Sequence, residues 1–123
     1  MAITFGRVVT VLRIFDEAKA REFYLGWLGF TVDFEHRFDP GAPLYMGVSR
    51  GGFTIHLSEH HGDGSPGARV RIETSGVEEL QRELIAKGYR YGRPGVVREE
   101  WGELRVTAHD PFGNQLHFVE RVG

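Results

Sequence analysis

Six histidines are the residues of this chain best suited to chemistry, and two of them sit at matching places in a repeated strand. Gly52-Phe53-Thr54-Ile55-His56-Leu57 aligns with Gly113-Asn114-Gln115-Leu116-His117-Phe118 at a constant offset of 61. An imidazole can anchor a ligand, bind a metal, or rest as a polar group satisfied by a neighbour. The residues alone leave those three roles open for His56 and His117. Trp101, beside Gly102, either stacks on a planar ligand at a cleft mouth or packs on its own domain. Tyr45 and Phe38 fall on extended segments that can line such a cleft, and Arg13 and Arg105 can supply charge to it.

Other candidates are weaker. His60 and His61 stand in a glycine-rich connection and read as solvated. Asp110 in D-P-F-G-N reads as a turn-former, with Pro111 presetting φ and Gly113 free to take a positive φ. No Ser-His-Asp order or phosphate-binding glycine loop is present. The absence of cysteine removes disulfides, zinc–thiolate sites and thiol catalysis.

The elements that must hold these residues follow from pattern. Val8 to Ile14 is β-branched and reads as a strand. Asp16 then caps a helix whose apolar positions are Ala20, Phe23, Tyr24, Trp27 and Leu28, closing at Gly29. Extended segments follow at Thr31–Phe38, Leu44–Ser49 and Phe53–Ser58. The loop HHGDGSPG at 60–67 connects to a second round: Arg69–Thr74, a helix capped by Ser75 and ending at Gly88, then extended pieces at Tyr89–Tyr91, Leu104–His109 and Gln115–Val119. The order β-α-β-β-β occurs twice. The chain therefore reads as one α+β domain over 1–123, with a first module at about 5–60 and a second at about 67–121.

Bulk properties agree. The 123 residues are 41% hydrophobic and 26% charged, ordinary for a globular domain able to bury a core without staples. The formal charge of −2 comes from interspersed signs, with no basic stripe for nucleic acid. No apolar run approaches a membrane span, and the N-terminus lacks a secretory pattern, so the expected location is cytoplasmic.

Period-two alternation sorts each strand into two faces. Phe53, Ile55 and Leu57, with Leu116 and Phe118, belong under the helices. Thr54, His56 and Ser58 face away, as do Gln115, His117 and Val119, and Arg69, Arg71 and Glu73. Arg13 is expected to share that second face with Val9 and Val11. This mixed face, bearing both histidines, is the expected pocket: curved mixed sheets around a cleft, with the helices outside.

With VLRIFDEAKAREFYLGWLGF (11–30), SRGGFTIHLSEHHGDGSPG (49–67) and WGELRVTAHDPFGNQLHFVE (101–120), the chain resembles the vicinal oxygen chelate superfamily of glyoxalases, dioxygenases and bleomycin-resistance proteins. Within it, the bleomycin-resistance branch is most similar. The resemblance implies the glyoxalase/bleomycin-resistance fold of paired βαβββ modules, usually a homodimer with clefts shared between chains. Its metal-dependent members carry His and Glu ligands at places that project near Val9, His56, Arg69 and His117. Valine cannot ligate, and arginine repels a cation. The resemblance therefore implies a cofactor-free protein that sequesters an aromatic or heterocyclic compound, of bleomycin type, in antibiotic resistance. The alternative it implies is a lyase, dioxygenase or thiol transferase holding Zn, Ni, Mn or Fe through His56 and His117.

Overall fold

The computed structural model describes residues 2–123. Two four-stranded sheets carry the fold. The first holds β1 (Thr10–Arg13), β2 (Thr31–His36), β3 (Tyr45–Arg50) and β4 (Phe53–Ser58) in the order β1-β4-β3-β2. The second holds β5 (Arg69–Glu73), β6 (Val97–Glu99), β7 (Glu103–His109) and β8 (Gln115–Arg121) in the order β5-β8-β7-β6. In each, the first strand runs parallel to the last and the remaining pairs are antiparallel. The repeat seen in the sequence is thus a repeat of topology.

The first helix, α1, begins as an α-turn at Glu17–Ala20 and widens into a π-helical stretch at Arg21–Trp27. The expected cap is present, with the Asp16 side chain accepting from Lys19 N at 2.8 Å. The wider turn, closed by Leu28 N donating to Phe23 O, keeps Phe23, Tyr24 and Trp27 all in the core. The second helix, α2, spans Val77–Ala86. Its cap differs from expectation. Gly76 is the N-cap residue at φ +88°, and the Glu120 carboxylate of β8 accepts from the Gly76 and Val77 amides at 3.2 and 3.1 Å. A tertiary carboxylate thus replaces the local serine, and its charge also suits the positive end of the helix.

Two strand assignments change. The first strand starts at Thr10, and Val8 lies exposed before it. Tyr89–Tyr91 is no strand. Tyr89 stacks on Trp27 at 4.8 Å, and the short β6 at Val97–Glu99 takes the edge.

One continuous core joins the modules. It contains Leu12, Ile14, Phe23, Tyr24, Ile55 and Leu57 from the first, and Leu84, Val106, Leu116 and Phe118 from the second. The face assignments stand: Leu12 and Ile14 are fully buried, while Val11 and Arg13 point to the opposite side with His56 and Ser58. The D-P-F-G-N turn does more than reverse the chain. Asp110 accepts from the Phe112 and Asn114 amides at 2.8 Å each, and also from the Tyr24 hydroxyl of α1 at 2.6 Å. Asn114 Nδ2 donates to Arg13 O at 3.0 Å. The turn of one module thereby closes the other.

Candidate functional site

The open face of the first sheet, opposite the helices, carries a panel of three rings. Register puts Gly47 between His56 on β4 and Phe34 on β2, with Tyr45 two residues from Gly47 along β3. The Tyr45 hydroxyl and His56 Nδ1 share a hydrogen bond of 2.8 Å. Phe34 lies 5.1 Å from His56, edge-on, and stacks with Tyr45 at 6.2 Å. Gly47 is the seat of this panel, since a Cβ there would stand 2.4 Å from the Phe34 ring. A glycine inside a strand often marks such a close approach. Burial raises the Tyr45 hydroxyl above its usual pKa, helped by Asp63, which accepts from Ser58 Oγ at the strand end. The phenol therefore stays protonated and can donate.

The second sheet presents charge in the same place. His117, 8% exposed, shares a 2.9 Å hydrogen bond with Gln115 through Nε2. Burial holds its imidazole below the usual range, and Arg69, Arg105, His109 and Arg71 push it further down. It is a neutral ring in a positive surround. Two of the arginines are paired: Arg71 with Glu103, and Arg105 with Glu99. Arg69 is exposed on its strand.

The remaining expected site residues scatter. Phe38 is 75% exposed beyond the end of β2, its ring edge-on to His60 and to His36, the strand partner of Tyr45, and it makes no ring contact with the panel itself. Trp101 is 66% exposed in the turn before β7, and its side chain helps Arg71 hold the Glu103 carboxyl below the usual range. Arg13 turns back over its own Phe15, 4.6 Å from the ring centre. Arg105 lies half-buried on the second sheet beside Glu99. The structure thus brings His56 and Tyr45 together and leaves Phe38, Trp101 and Arg13 apart from them. Phe34 and Gly47 are members of the panel that alternation alone does not find.

His56 and His117 lie on different sheets, with Val11 and Arg71 paired beside them. Among the described residues no three His, Asp or Glu side chains gather closely enough to hold an ion. Two grooves mark the surface, the second bordered by Thr107 and His109 of the His117 face. One of about 610 Å³ runs between the modules on the helix side, and one of about 310 Å³ lies beside the 91–97 loop.

Two βαβββ modules with these pairings define the glyoxalase/bleomycin-resistance class of fold. The sequence profile described as "Glyoxalase superfamily protein" matches residues 1–123, and the chain belongs to that superfamily. No curated protein matches it. Solved structures do. The bleomycin-binding protein of Streptomyces verticillus, complexed with copper(II)-bleomycin, is 26% identical with a TM-score of 0.68, covering 99% of each chain. A bleomycin resistance determinant encoded on transposon Tn5 is 20% identical with a TM-score of 0.76, over 95% of this chain and 98% of that one. A glyoxalase/bleomycin resistance protein/dioxygenase superfamily member from Sphaerobacter thermophilus is 24% identical with a TM-score of 0.65, over 94% and 98%. No helix among the described residues is long and apolar enough to cross a membrane.

Proposed function

We propose that this protein binds and sequesters a small aromatic or heterocyclic compound on its open faces, without chemistry and without a cofactor. The observation that carries this reading is the Phe34–Tyr45–His56 panel. It offers two π faces, one polar edge and a hydroxyl donor, preassembled on strands around Gly47. Rings held this way bind planar ligands at little cost in side-chain ordering. The positive surround of His117 favours a ligand with acceptor groups at that end. Relatives of the same fold that are complexed with bleomycin support a ligand of that size and kind. The protein acts in the cytoplasm as a homodimer with clefts shared between chains, in resistance to a bleomycin-like antibiotic.

The test is titration of bleomycin and a panel of aromatic heterocycles, followed by tryptophan fluorescence, with the recovered ligand checked by mass. The expected result is micromolar, saturable binding and an unaltered ligand. Gly47→Ala, which displaces Phe34, should weaken it by about tenfold, or about 1.4 kcal/mol. Turnover of any panel member, affinity no better than millimolar, or an unchanged Gly47→Ala variant would overturn the reading.

A further inference from the structure

The two modules meet through two turn-to-helix contacts that the repeat makes equivalent, yet they are built differently. Strand register fixes the equivalence. Arg13 pairs with Ser58 as Glu73 pairs with Val119, so Glu73 is the counterpart of Arg13. The next amides continue the match: Ile14 N donates to Ser58 O at 2.8 Å, and Thr74 N to Val119 O at 2.7 Å. Ser75 is therefore the counterpart of Phe15. At the turns, Ser49 pairs with Thr54 as His109 pairs with Gln115, which makes Arg50 the counterpart of Asp110.

One contact carries two rings and a cation. Phe15 and Phe112 pack at 6.2 Å, the Arg13 guanidinium lies over Phe15, and Tyr24 donates to Asp110 beneath them. The other contact lacks both rings. Ser75 stands where Phe15 would, and the two-residue turn Gly51-Gly52 has no counterpart of Phe112. Arg50 still reaches across, donating to both Glu83 oxygens at 2.7 and 2.9 Å. What the missing rings leave is the groove of about 610 Å³. Its floor is apolar, formed by Phe30, Phe53, Ile72, Leu80 and Phe118. At its rim Glu73 and Glu79 make no ion pair among the described residues, while Glu83 is taken by Arg50 and Lys87.

We propose that this groove is a second binding site, specific for a small arylalkyl ammonium compound. The two-ring contact supplies the template. There the chain places two phenyl rings, with Phe15 still 55% exposed, beside a cation, and here the equivalent cation is replaced by a carboxylate. A ligand bringing a ring to the floor and an ammonium to Glu73 and Glu79 restores what the second copy of the contact lacks. The volume suits such a molecule. The groove is lined by neither His56, Tyr45 nor His117, so this site stands apart from the open-face reading.

The experiment is titration of 2-phenylethylammonium chloride into the ¹⁵N-labelled full chain, with 2-phenylethanol and phenylacetate in parallel. Saturable amide shifts are expected at Gly51, Gly52 and residues 74–76. The amine should bind about fivefold tighter than the alcohol, as an exposed ion pair allows, with phenylacetate weakest. Ser75→Phe returns a ring to the groove and should abolish binding. Should that variant not fold, the exposed pair Glu73→Gln/Glu79→Gln decides, and should bring the amine down to the alcohol's affinity. Tyr45→Ala, on the open face, should leave the titration unchanged. The proposal falls if no saturable shift appears, if the shifts map elsewhere, or if phenylacetate binds as well as the amine. It also falls if a folded Ser75→Phe, or the double variant, behaves as wild type.

Discussion

His117 is held neutral by its surroundings, and that has a measurable cost in acid. Its folded pKa lies below the ordinary imidazole value of about 6.5, so the unfolded chain binds more protons between the two values. The contribution to stability is complete above that ordinary value and is lost as pH falls through the folded one. Denaturant midpoints measured from pH 8 to 5 should fall with pH, and less steeply in His117→Gln. Equal slopes would show that neither burial nor the surrounding arginines shift this ring. The position of His117 was legible because the repeat aligns it with His56. Phe34 was not, for a local reason. A bulge between Val32 and Phe34 shifts the register, so Val32 pairs with Val48 while Phe34 pairs with Gly47. Strict alternation would put both side chains on one face; the extra residue turns Phe34 to the other. The signal that could have found it was Gly47, a glycine between Met46 and Val48 inside a strand.

Between elements, the strongest tie is the hydrogen bond from Tyr24 on α1 to Asp110 in the β7–β8 turn. Both residues are buried, and burial, together with the nearby carboxylate, raises the tyrosine well above its usual pKa. Tyr24→Phe keeps the ring and removes the donor, leaving Asp110 to its turn amides and Asn114. The expected loss is about 1.5–3 kcal/mol, the range for a hydrogen bond to a charged group. It should appear in urea unfolding as a lower midpoint with unchanged slope. The order of elements and their buried faces were legible from apolar spacing. The Glu120 cap and β6 were not. The cap comes from a side chain more than 40 residues away in sequence. The three residues of β6, Val97-Arg98-Glu99, are too few and too exposed to show a period.

At the scale of the molecule, the N-terminal arm stands out. Ile3, Phe5 and Val8 are 83%, 95% and 89% exposed, ahead of the first strand. Each such side chain gains roughly 1.5–3 kcal/mol when covered. A homodimer in which these residues are covered is the expected state. Sedimentation should give twice the 13.9 kDa chain mass, and deletion of residues 2–8 should shift it toward monomer. A monomeric full chain would count against shared clefts. The cross-module tie has a consequence for how the chain is made. Tyr24 finds its acceptor 86 residues downstream, and Arg13 O finds its donor 101 residues downstream. The first module is translated long before either partner leaves the ribosome. Its helix therefore waits with a buried-type tyrosine unsatisfied until the β7–β8 turn emerges, and its final packing is set by that turn. A truncation that spares every residue of module one but stops before Asp110 leaves that module unfinished.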